Sequence, residues 1–212
     1  MIFYFDFKQY FRMLRMTFQE ENPQGRRQLY FMLLLVIPLM SSFTAICFFL
    51  DGLLFPRLWR VQVKEPVFIV GHARSGTTLM HRIMARDGER FSAFMLYELF
   101  FPSLIQKKLI RLLATCDRNW LGGRIEKRMQ AWEKEKFGKT QDIHRMGLTL
   151  FEEDDFIFTL SCASGYWIVL LPYMDKLDFY HVDQRPPASR QRMMRFYGEC
   201  VRRQLYLNGP DK

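Results

Sequence analysis

Two stretches of the sequence concentrate residues able to do chemistry. The first is Gly71, His72, Ala73, Arg74, Ser75 and Gly76, followed by Thr77 and Thr78. Glycines at both ends let the backbone curl, so that successive N–H groups converge on one anion. A helix starting at the threonines adds unpaired donors and the positive end of its dipole, and the two hydroxyls add more donors in its first turn. Arg74 supplies a permanent charge whose planar fork matches phosphate or sulfate oxygens. The second stretch runs from His144 to Glu152, Glu153, Asp154 and Asp155. His144, Glu152 or Glu153 could accept a proton from a hydroxyl. The same carboxylates would also suit the first turn of a helix, where they favour the dipole.

These residues need elements to hold them. Val67, Phe68, Ile69 and Val70 form a short continuous apolar run, which predicts a buried parallel strand. After the loop, Leu79, Met80, Ile83 and Met84 fall on one face of a helix that Gly88 would stop. The order is strand, glycine-bracketed loop, helix. The spacing Gly71 to Gly76 matches a nucleotide-binding P-loop, but Thr77 stands where that motif carries the lysine that reaches the β- and γ-phosphates. That substitution, with Arg74 inside the loop, argues against an ordinary ATPase or kinase.

The loop resembles the 5′-phosphosulfate loop of bacterial-type sulfotransferases that use 3′-phosphoadenosine-5′-phosphosulfate (PAPS). Arg74, Ser75, Gly76, Thr77, Thr78 and Leu79 match that pattern residue by residue, while Ala73 stands where the family usually has proline. The segment with His144, Met146, Gly147, Glu152, Glu153 and Asp154 is similar to a second family motif, with Arg145 and Phe151 replacing prolines common there. The resemblance implies an α/β fold, a P-loop-like parallel sheet flanked by helices. It implies that Gly71, His72, Arg74, Ser75, Gly76, Thr77 and Thr78 hold PAPS, with no metal. Arg74 would stabilise charge on the departing phosphate, and Glu153, then Glu152, would be the base. The implied partners are a nucleotide donor and a hydroxyl (or amine) of a carbohydrate, lipid or small molecule. The resemblance covers roughly residues 66–212, and family members continue into further strands with a Lys-x-Pro-like element and an Arg and Ser that grip the 3′-phosphate. The expectation is therefore a C-terminally truncated fragment with an incomplete sheet, inactive by itself. Two other readings are a P-loop kinase or NTPase-like nucleotide binder with a displaced lysine, and a non-catalytic membrane interaction protein that keeps the loop only as architecture.

Ahead of this region the chain changes character. No charged residue lies between Arg27 and Asp51, and residues 28–50 are dominated by Leu, Phe, Ile and Met, long enough to meet a bilayer core. Pro38 would kink that helix and free a carbonyl, which Ser41, Ser42 or Thr44 could re-satisfy. Phe3, Phe7, Phe11, Leu14 and Phe18 recur at helical spacing, with Lys8, Arg12 and Arg15 to one side, as in an interfacial helix or a core-packed one. Three regions follow: a basic amphipathic segment (1–27), a hydrophobic membrane anchor (28–55), and the N-terminal part of a sulfotransferase domain (65–212). Basic residues upstream (Lys8, Arg12, Arg15, Arg26, Arg27) outnumber those just downstream (Arg57, Arg60, Lys64), which leans toward a cytoplasmic N-terminus. Asn22, Asn119 and Asn208 lack the hydroxyl partner of a glycosylation acceptor, so a cytoplasmic catalytic domain is expected rather than a lumenal one. A monotopic or re-entrant anchor reconciles both.

The chain carries 31 Lys and Arg against 22 Asp and Glu, a formal net charge of +9, which suits an anionic ligand or a membrane surface. No zinc spacing, recognition module or aromatic-interleaved basic run points to nucleic acid. Cys47, Cys116, Cys162 and Cys200 are far apart and without a C-x-x-C pair, which predicts reduced, mostly buried thiols. Residues 106–132 read as helical with a break at Gly122 and Gly123. Residues 156–173 read as apolar core. A last helix opens at Pro186 and Pro187, with Met194, Tyr197, Val201 and Leu205 as its apolar face and its arginines, Arg203 included, in solvent.

Overall fold

The computed structural model describes residues 3–19, 23–72, 75–138, 146–170, 176–179 and 181–209, without the side chains of 23–25 and 169–170. The described chain is mostly helical. Helix α1 (Phe7–Gln19) leads to α2 (Pro23–Phe31), which continues through a π-turn (Met32–Val36) into α3 (Ile37–Leu54). The loop helix α4 (Thr77–Arg86) precedes the short α5 (Leu96–Phe100), the hairpin of α6 (Leu104–Trp120) and α7 (Arg124–Phe137), then α8 (Trp167–Leu170) and α9 (Pro187–Asn208).

The π-turn has a local cause. Ile37 donates its N–H to the Met32 carbonyl, five residues back. The next bond in that register would come from Pro38, which has no N–H and so frees the Leu33 carbonyl. Tyr10 of α1 donates its hydroxyl to that oxygen at 2.9 Å. The hydroxyls expected to do this are used elsewhere. Ser41 donates to the Leu160 carbonyl at 2.7 Å, and Thr44 accepts from the Gln106 amide at 3.0 Å. They bind neighbouring elements because both face inward, not along the helix.

Two apolar clusters form the core. One joins Met13 of α1 and Leu29, Leu33 and Ile37 to Leu160, Cys162, Trp167 and Phe179. The other joins Phe48 of α3 to Leu96, Leu99, Phe156, Ile157, Phe196 and Cys200. All four cysteines are free thiols, and Cys47, Cys162 and Cys200 are buried. α1 turns Gln9, Met13 and Thr17 inward, which leaves Phe7, Phe11 and Phe18 each at least 60% exposed. Those three residues of the apolar stripe therefore face outward, while Phe3 and Leu14 pack against the core. Beside those three, Leu34, Leu35, Leu39, Phe43, Ile46, Phe49, Leu53 and Leu54 also face outward.

The opposite face of α3 is fixed by charge. The Asp51 carboxylate accepts the Leu104 and Ile105 N–H groups at 2.9 and 3.0 Å, which caps α6, and pairs with Arg203 at 2.8 Å. Both side chains are fully buried, so Arg203 is not the solvent-facing residue expected. α9 is correspondingly rotated: Met193, Phe196, Cys200 and Leu205 are buried and Met194 is exposed. An ion pair this deep outweighs one methionine in setting the helix's rotation, because an unpaired buried carboxylate would cost several kcal/mol.

The expected helices are present, and the expected parallel sheet is not seen among the described residues. Among the described residues the β-pairing is an isolated antiparallel bridge, Met95 to Phe151. The run 67–70 forms no regular secondary structure and is exposed at Val67, Phe68 and Val70, and on α4 Leu79, Met80 and Ile83 are exposed too. A parallel strand needs a neighbouring strand for its hydrogen bonds and for the burial of its faces. No described segment supplies one here.

Candidate active site

The loop closes on itself. Ser75 donates its N–H to the His72 carbonyl at 3.2 Å, and Gly76 starts α4 by accepting from Met80 N–H at 3.0 Å. Gly76 sits at φ 87°, a left-handed conformation that glycine adopts without cost. Gly71 is needed for close approach: a Cβ there would lie 2.6 Å from Ser75 Oγ and 2.8 Å from Thr77 Cγ2. Gly71, His72, Ser75 and Gly76 are exposed, and Thr77 and Thr78 open the first turn half-buried. Arg74 and His144, both singled out by their chemistry, lie outside the described residues.

The acidic run is brought to this loop by backbone pairing around α5. Leu96 and Tyr97 donate N–H bonds to the Leu150 and Leu148 carbonyls, both at 3.0 Å, and Glu152 N–H returns to the Phe94 carbonyl at 3.1 Å. Glu133 of α7 holds the same segment by accepting the Leu148 N–H at 2.6 Å. Glu153 is thereby set beside α4, where Thr78 Oγ1 donates to its Oε1 at 3.1 Å. Glu152 also reaches α4, one turn further along. It is buried, and its Oε1 takes a 2.6 Å bond from Arg82 Nη2, while Arg82 Nε donates to the Phe151 carbonyl at 3.2 Å.

The remaining carboxylates are tied down. Asp154 accepts from the Tyr197 hydroxyl. Asp155 accepts from Ser164 Oγ at 2.7 Å and Gly165 N–H at 2.9 Å, and burial pushes its carboxyl above the usual carboxylate range. Burial also pushes the Tyr166 and Tyr197 hydroxyls upward, so both stay protonated donors at neutral pH. Tyr166 stacks on Phe156 with ring centroids 3.4 Å apart. Among the described residues no three His, Cys, Asp or Glu side chains converge as a metal-ligand set.

A phosphate-type loop joined to a distant acidic run is the geometry on which the comparisons bear. A family model described as the sulfotransferase family matches residues 66–197, more than half of the chain, and spans both motifs. The chain belongs to the sulfotransferase family. No curated protein and no solved structure matches it. Sulfotransferases move a sulfuryl group onto an acceptor, so the matched region is that of a transferase. Within it, sequence reasoning missed Arg82. One signal was available: Arg82 is four residues after Thr78, on the same face of α4, and so turned toward the same neighbour.

Proposed function

We propose that this sulfotransferase-family chain moves a sulfuryl group from PAPS to a hydroxyl, or an amine, of a carbohydrate, lipid or small-molecule acceptor. The observation that carries the proposal is the 3.1 Å bond between Thr78, in the first turn after the loop, and Glu153. It sets a carboxylate at the edge of the anion-binding loop, where an acceptor hydroxyl must lose its proton.

The loop fits a phosphosulfate. Its two glycines keep the backbone bare where an anion would approach, and Ser75 Oγ lies close to Gly71 as a hydroxyl donor within the loop. Bound PAPS would supply an activated sulfuryl group. The backbone N–H groups of Gly71, His72, Ser75, Gly76 and Thr77 would hold its 5′ oxygens, with Arg74 as the balancing charge. Glu153 has Oε1 occupied by Thr78, which orients the carboxylate so that Oε2 can accept the proton of the acceptor. Glu152, bound to Arg82, is a positioning residue that keeps the acidic run against α4.

The sulfotransferase domain, taken as residues 65–212, sits on the membrane as we read it, with 28–55 as its anchor and the catalytic face cytoplasmic. The helix Arg26–Leu54 has a mean hydropathy of 2.4 over an 18-residue window, of which 33% is buried. One side packs on α6 and α9 through Asp51, and the other exposes leucines and phenylalanines. A helix with one covered and one apolar face suits monotopic attachment.

The test is a thermal-shift comparison on the detergent-solubilised full chain. Adenosine 3′,5′-bisphosphate should stabilise it, and ATP with magnesium should not. Where the wild-type protein transfers labelled sulfate from PAPS, Glu153→Gln should lower its turnover by about 10²–10⁴-fold, the usual range for a general base. Stabilisation by ATP–magnesium alone would sink the reading in favour of a kinase or NTPase.

A further inference from the structure

Away from the loop, a cavity of about 1100 Å³ opens between the N-terminal segment with α1, the inner side of α3, and the segment leading into α9. Its lining includes no residue of the loop, α4 or the acidic run. One wall is apolar, formed by Phe5, Phe7, Pro38 and Ala45. The other is cationic, with Lys8, Arg12, Arg185, Arg192 and Arg195.

The charges do not cancel. Two carboxylates line the cavity, and both are engaged: Asp6 pairs with Arg185 at 2.9 Å and Asp178 with His181 at 3.0 Å. Lys8, Arg12, Arg192 and Arg195 have no ion pair or hydrogen bond from their side chains among the described residues. Arg185 Nη2 is buried and likewise lacks a partner there. A buried guanidinium N–H without an acceptor is destabilising, and an incoming anion would relieve it.

The position of the cavity says what else the anion carries. Ser42 in its lining is flanked along α3 by Leu39, Phe43 and Ile46, all on the exposed apolar surface. The cavity therefore meets, at Ser42, the surface read above as facing lipid. Its volume slightly exceeds the usual range of small-molecule sites, about 300–1,000 Å³.

We propose that this cavity binds the phosphate- or sulfate-bearing head of an anionic amphiphile, with its hydrocarbon chain laid along α3. The proposal rests on the membrane attachment inferred above and is independent of sulfuryl transfer. Lys8 and Arg12 approach the head from α1, and Arg192 and Arg195 from α9, so the head ties the N-terminal segment to the last helix. A free anion would gain the same charges but nothing from the apolar wall.

The test uses the full chain in dodecyl maltoside, titrated with dodecyl phosphate, dodecylphosphocholine or inorganic phosphate, with thermal stability and tryptophan fluorescence as readouts. Dodecyl phosphate should bind at least tenfold more tightly than either of the others. Arg192→Glu with Arg195→Glu should weaken it at least tenfold, and both positions are exposed, so the fold should survive. Arg12→Glu, on α1 rather than α9, gives the same readout if the double variant does not fold. Equal binding by wild type and the charge-reversed variants overturns the proposal. Equal binding of inorganic phosphate reduces it to a free-anion site, and equal binding of dodecylphosphocholine removes the charge argument. Membrane attachment is checked separately: release of the chain from membranes by alkaline carbonate would refute that reading, whatever the titrations give.

Discussion

Arg203→Met should destabilise the chain by about 3 kcal/mol, the low end of the 3–5 kcal/mol seen when a buried pair loses one partner. Arg203 Nε bonds Asp51 Oδ2 at 2.8 Å, and Nη1 bonds the Glu199 carbonyl and Oε2 at 2.9 and 3.0 Å. Its guanidinium lies 3.8 Å from the centroid of the Phe48 ring. The substitution would leave the fully buried Asp51 charge with the Leu104 and Ile105 N–H groups as its remaining donors. Those two bonds are the reason for choosing the low end. Asp51→Ala should cost more, because it also removes the cap of α6, worth about 1 kcal/mol. The assay is denaturant unfolding in detergent, followed by tryptophan fluorescence, to which Trp167 contributes as a fully buried core residue packed with Met13, Leu33 and Ile37. Against a typical total of 5–15 kcal/mol such a loss is easily resolved. A cost below about 1 kcal/mol, or strict additivity of Arg203→Met with Asp51→Ala, would refute the claim that this pair welds the apolar helix to α9.

Lys107 is buried against Gln204, and burial lowers its ammonium to about 8 from an ordinary 10.5. Below pH 8 both states carry the proton; above it the unfolded chain keeps a proton the folded chain has shed, so stability should rise by about 1.4 kcal/mol per pH unit. Burial raises the Cys200 thiol from 9.0 to about 12, and its equal and opposite slope cancels the rise once unfolded thiols ionise above pH 9. Unfolding measured from pH 7 to 9 should show the rise, and Lys107→Met should flatten it. Tyr10→Phe leaves the Leu33 carbonyl without its donor and should cost roughly 1–3 kcal/mol in the same unfolding assay. Gly76→Ala forces a side chain into the left-handed region at φ 87°, costing roughly 1–2 kcal/mol, so affinity for adenosine 3′,5′-bisphosphate should fall about tenfold in a binding titration.

Local features were legible in the sequence because their causes are local. The loop, the start of α4 at Thr77, the break at Gly122 and Gly123 and the start of α9 at Pro187 all depend on glycine, proline and hydroxyl residues acting within a few positions. Periodicity was a poorer guide to which face is buried. The faces of α1 and α4 that read as apolar are mostly exposed, and α9 is turned about one residue from its expected face. A period says that residues share a face; it does not say whether protein or lipid covers that face.

By itself, then, the sequence determined the glycine-bracketed loop, its family, and the apolar helix near the N-terminus, since residue type and short spacing carry all three. Tertiary structure decided which acidic residue meets the loop. Thr78 and Glu153 are 75 positions apart, and the Met95–Phe151 bridge makes them neighbours. It also turned Glu152 inward onto Arg82 and buried Arg203 against Asp51, across 152 positions. Such partners are chosen by the desolvation of charge in a packed interior, which no local pattern encodes.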